Sequence, residues 1–98
     1  MEKDLARAFM EGLVHKRKTI KELTSSINKF FGVKVPIQFV EMTTEVDCDF
    51  RLIFDVTPDH QPKHADVCGS YEIWFLDTRK NIDGLNVKYI TEVNCDFN

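Results

Sequence analysis

His60, His64 and Cys68 fall four residues apart in the segment PDHQPKHADVCG, and imidazoles with a thiolate are ligand types that zinc takes. On a helix this spacing would align all three, but Pro58 and Pro62 oppose a helix there. A structural zinc site also wants a fourth ligand, for which Asp59, Asp66 and Cys48 are the candidates. A plain polar loop accounts for the same residues with fewer conditions. Cys68 paired with His64 as nucleophile and base would need an oxyanion hole and an orienting third group, and neither is visible. GxGxxG, P-loop, HExxH, CxxC and GxSxG are absent, and Glu72 is followed by Ile73-Trp74, which breaks the Glu-x-Lys pattern of metal-dependent nucleases. The expectation is a chain that is not an enzyme and takes no metal or other cofactor.

Carboxylates form the second constellation. TEVDCDF at 44–50 returns as TEVNCDF at 91–97, and both copies alternate apolar with polar residues, the pattern of a half-buried strand. Glu41, Glu45, Asp47, Asp49 and Asp55 then share one face, and Glu92, Asn94 and Asp96 share the corresponding face of the later copy. Same-face neighbours on a strand stand nearly 7 Å apart, too far to close a chelate around Mg²⁺ or Ca²⁺ unaided. A solvated face that resists aggregation is the ordinary use of such acids, and docking onto a basic partner is the functional one. Phe39, Ile53 and Ile90 fall out of phase with the core-facing positions, and one side of Tyr71–Asp77 must join them: Trp74 with Leu76, or Tyr71 with Ile73 and Phe75. Ringed by acids, these residues would make an apolar patch of the kind found at protein interfaces, with Trp74 as its anchor.

Those residues need elements to hold them. Apolar positions from Leu5 to Phe31 recur at three- and four-residue steps, which predicts one long helix or two collinear ones. Thr19-Ile20-Lys21-Glu22 fits a capping box, Gly32 suits the helix end, and Pro36 forbids resumption. From Val40 to Val56 the alternation is unbroken, yet that many extended residues would reach about 55 Å. The run must curl, or turn through a loop of odd length that preserves parity; lacking Gly, Pro or Asn at a turn, a curled or bulged strand is expected. Tyr71–Asp77 is apolar on both faces and reads as a central strand, and Leu85–Phe97 as the last one. The fold class is therefore α+β, an N-terminal helix packed on a curled antiparallel sheet of three to four strands. The order of elements resembles that of cystatins, although their QxVxG hairpin motif is not present.

Ninety-eight residues suit a single domain, 1–98, with 43% hydrophobic residues to fill its core. No apolar run approaches the length of a membrane span, the first residues do not read as a signal peptide, and three cysteines are expected to be free thiols in the cytoplasm. The net charge of −3 hides a division. Residues 1–34 carry eight Lys/Arg against four Asp/Glu, and residues 35–98 five against twelve. The basic run His15-Lys16-Arg17-Lys18 is placed on the helix as a solvated face, with direct nucleic-acid binding not expected. The resulting expectation is a non-enzymatic protein-binding module, such as a phage accessory protein that inhibits a basic nucleic-acid-handling partner. Its docking residues would be Glu45, Asp47, Asp49, Glu92 and Asp96 for steering, with Trp74, Phe39, Ile53 and Ile90 for buried area. A homodimer meeting through sheet faces or edges is the alternative, and a metal-dependent small enzyme the third.

Overall fold

A computed structural model describes residues 2–42, 48–77 and 87–98. Helix α1 (Glu2–Glu11) stops at Gly12, and the chain turns through His15, which sits in the left-handed region at φ 69°. His15 N–H then donates to Ile90 O (2.8 Å) and Ile90 N–H to Lys16 O (3.0 Å), which draws the chain onto the sheet as β1 (Arg17–Thr19). The basic run is thus a turn and an edge strand rather than helix surface. The helical stripe keeps its phase across the interruption because α1 and α2 (Ile20–Phe31) bury their apolar sides in one core. Two helices flank a short strand, where one long helix or two collinear ones were expected.

Helix α2 begins as its sequence predicts. Thr19 Oγ1 accepts from Glu22 N–H (3.1 Å), and Glu22 Oε1 accepts from Thr19 N–H (3.0 Å). These bonds satisfy amides that a helix start otherwise leaves without partners. Gly32 closes the helix at φ 74°, a conformation that costs a residue with a Cβ, and its N–H donates to Asn28 O (2.9 Å).

The remaining strands are β2 (Ile37–Glu41), β3 (Phe50–Val56), β4 (Gly69–Asp77) and β5 (Val87–Phe97). With β1 they form one antiparallel sheet in the order β1-β5-β4-β3-β2, five strands among the described residues where three to four were expected. The alternating run is two strands, not one curled strand. β2 pairs with β3 so that Ile37 faces Phe54 and Glu41 faces Phe50. Residues 42–49 between them are even in number, so parity flips: odd positions face the helices in β2, even positions in β3. Glu41 and Phe39 therefore stand on the helix side, in contrast to the expected outward acidic row.

Ile90 is also corrected. Trp74 pairs with Glu92, but Phe75 pairs with Ile90, which makes Thr91 an extra residue on β5. This bulge rotates Ile90 into the core, where it is fully buried. Phe31 meets Phe54 and Tyr71 edge-on at 5.8 and 5.1 Å, and Phe54 stacks on Tyr71 at 5.0 Å. Tyr71 O–H donates to Val67 O, and burial, followed by the nearby Cys95 and Cys68 sulfurs, raises the phenol above its ordinary range.

Hydrogen bonds from Thr19 hold the Glu22 carboxyl below the usual glutamate range. A depressed carboxyl stabilises the fold above its unfolded pKa and loses that contribution as pH falls through the folded value. Thr19→Ala is expected to cost about 1 kcal/mol at neutral pH. In urea titrations the gap between variant and wild type narrows as pH falls through the depressed titration of the folded Glu22 carboxyl, where its charge-assisted bond to the Thr19 side chain is lost.

Candidate protein-docking face

Both helices lie against the side of the sheet formed by Leu52, Phe54, Tyr71, Ile73 and Phe75. Among the described residues, no helix lies on the opposite side. Trp74 projects there from β4, which settles the open choice: Trp74 and Leu76 face outward, and Tyr71, Ile73 and Phe75 inward. Cross-strand pairing places Arg51 beside Trp74, with its guanidinium carbon 4.4 Å from the indole centroid. Glu72, two residues along the same face, accepts from Trp74 Nε1 (2.8 Å) and lies 3.6 Å from Arg51 Nη1. Arg51 Nε is buried with no hydrogen-bond partner among the described residues. Arg51 and Glu72 together hold the half-buried indole, and as one base and one acid they offset each other's charge.

The other acids on this face stand around that group. Glu92 is opposite Trp74, Asn94 opposite Glu72 and Asp96 opposite Ser70, all three exposed. Asp55 is exposed and accepts from Ser70 Oγ (2.7 Å). Asp49 is exposed just before β3, its N–H donating to Phe75 O (3.0 Å). Ile53 is half-buried on the outer face, between Gln38 and Glu72. Glu45 and Asp47 lie outside the described residues. Of the expected patch, Trp74, Ile53, Glu92 and Asp96 share the face; Phe39 and Ile90 do not. Arg51 was not foreseen as a docking residue, though a lone base among the odd-numbered acids from 41 to 55 is a signal that could have singled it out.

An open cleft of about 510 Å³ extends from Ile53 along the ends of β2 and β3. Ile37, Ile53 and Phe54 line its apolar part, and Asp55 and Asp59 bring carboxylates to it. His60 also borders the cleft. Its Nδ1 accepts from Thr57 N–H (3.1 Å). His64 turns elsewhere, to Glu2 Oε1 of α1 (3.1 Å), and Cys68 is buried in the core. The three spaced residues thus have separate tasks, and no group of three or more metal-ligating side chains stands together among the described residues.

At the far side of the face, Tyr89 accepts the Arg17 guanidinium over its ring (5.7 Å to the centroid) and its hydroxyl meets His15 Nδ1 (2.9 Å). The basic run is thereby confined to the β1 margin. Cys48 and Cys68 are buried and Cys95 half-buried, and burial raises the Cys95 thiol, with Arg7 opposing and Glu11 adding. No described helix is long and apolar enough to cross a membrane. No protein-family model matches the chain, and comparison with curated proteins and with solved structures finds no significant match.

Arg51→Ala should free the indole. The expected result is a red shift of Trp74 emission and a loss of about 1 kcal/mol in urea denaturation, the size of a partly exposed cation–π contact. Trp74 is the sole tryptophan, so the emission is unambiguous.

Proposed function

We propose that this chain is a non-enzymatic binding module that docks a basic protein surface against the outer face of its sheet. The observation that carries this reading is Trp74 held by Arg51 and Glu72 on a face that no described helix covers. An aromatic fixed in advance loses little side-chain entropy on binding, so its burial is retained as affinity. Glu92, Asp96, Asp55 and Asp49 surround it, and in this reading they steer the partner, joined by Glu45 and Asp47. The cleft beside Ile53 suits a lysine or arginine: apolar walls for its stem and the Asp55 and Asp59 carboxylates for its head. A partner that normally grips nucleic-acid phosphates presents such side chains, which makes an inhibitory role against a nucleic-acid-handling enzyme the specific form of the proposal.

The test begins with wild-type protein as bait in a cell extract. A basic protein that is retained, elutes with salt and is lost with a Trp74→Asp bait is the expected outcome. With that partner purified, Glu92→Lys combined with Asp96→Lys should slow association about tenfold at low salt and flatten its dependence on ionic strength. Association rates that match wild type at every salt concentration would refute the steering role of this face.

A further inference from the structure

Among the described strands β2 is an edge, and the side away from β3 has no described strand on it. The direction of each backbone group follows from one bond. Met42 N–H donates to Asp49 O (2.8 Å) in register with the β2–β3 ladder, so by alternation Gln38 and Val40 also bond toward β3. The N–H and C=O groups of Ile37, Phe39 and Glu41 point outward. Edge strands are normally protected by charge, proline, bulges or extreme shortness. The opposite edge follows that rule, for β1 is three residues long and carries Arg17 and Lys18. β2 has neither an internal proline nor a lysine, and its register with β3 runs without a bulge. Phe39 at its centre is 46% exposed, although its ring lies 4.9 Å from that of Phe50 and 5.7 Å from that of Phe75.

We infer that β2 pairs antiparallel with β2 of a second copy of this chain, about a two-fold axis at Phe39. In that register Phe39 lies opposite Phe39 of the second copy and Ile37 opposite Glu41, and every outward N–H meets an outward C=O. Faces match as well, because all three residues project to the helix side in both copies. The two exposed phenylalanines then cover each other and extend the Phe39–Phe50–Phe75 cluster across the axis. Charge permits the register. Glu41 is the only charged residue in the strand. The two Glu41 Cα atoms would be separated by four residues of strand, about 13 Å, which exceeds the screening length of about 8 Å at physiological salt. A strand of five residues buries little area, so the dimer is a weak one. It uses the rim of the sheet and leaves Trp74 open, so it stands or falls separately from docking at the indole, although Ile37 borders both the dimer seam and the cleft beside Ile53.

Sedimentation equilibrium from about 10 μM to about 1 mM, with amide exchange followed by NMR at both ends, tests the pairing. The expected result is a monomer–dimer equilibrium in which protection rises with concentration at the Ile37, Phe39 and Glu41 amides. Phe39→Lys, a change at an exposed position whose folding the same spectra verify, should weaken the dimer at least tenfold. Trp74→Asp should leave it unchanged. A chain that stays monomeric at the highest concentration overturns the inference. So does a dimer that Trp74→Asp dissolves while those three amides still exchange freely.

Discussion

A buried phenol needs an acceptor, and Tyr71 finds one in the Val67 carbonyl. Leaving that hydroxyl unpaired would cost about 1–3 kcal/mol, a large part of what a domain of this size has in reserve. The bond therefore fixes the 3-10 turn Ala65–Val67 against β4, and much else meets at the same ring. Phe54 of β3 stacks on it, and Phe31 of α2 and Phe97 of β5 meet it edge-on. Tyr71 is thus the residue through which one helix, three strands and the long connection share a common position.

That arrangement determines which side of the sheet stays open. With Tyr71, Ile73 and Phe75 committed inward, Glu72, Trp74 and Leu76 must face the other way, because successive side chains on a strand alternate. An indole on a solvated face is unfavourable unless something covers part of it. Arg51 and Glu72 do so from the same face, and their opposite charges cancel locally. Glu92 and Asp96 stand exposed beyond them, while Tyr89 contacts Arg17 and His15 at the margin.

Much of this plan was legible in the residues. Thr19 with Glu22 and Gly32 announced both ends of α2, because capping chemistry is local and needs no tertiary partner. The doubly apolar 71–77 segment announced a central strand for an equally simple reason, that both of its sides have something to rest on. Three features were hidden. The two helices and the strand between them share one apolar phase, so RKT at 17–19 looked like helix; only its pairing with β5 makes it a strand. The parity flip across residues 42–49 depends on loop length, which alternation cannot report when both strands have the same period. The bulge at Thr91 arises from the β4–β5 register, and one extra residue was enough to send Ile90 inward. Within the candidate face, these same effects removed Phe39, Glu41 and Ile90 and left Trp74, Ile53, Glu92 and Asp96 together.

β1 pairs with β5 although the two are far apart along the chain; the His15–Tyr89 contact spans 74 positions. Closing so long a segment costs conformational entropy before the pairing returns anything, and topologies rich in distant contacts assemble slowly. The hairpins β2–β3 and β3–β4 can zip locally, whereas the section joining the helices acquires its strand geometry only when β5 arrives. The β1 segment is accordingly the part of the sheet with the longest closure to make. Until that closure is made, the two helices it joins would be tethered to a nascent sheet by hydrophobic contact alone.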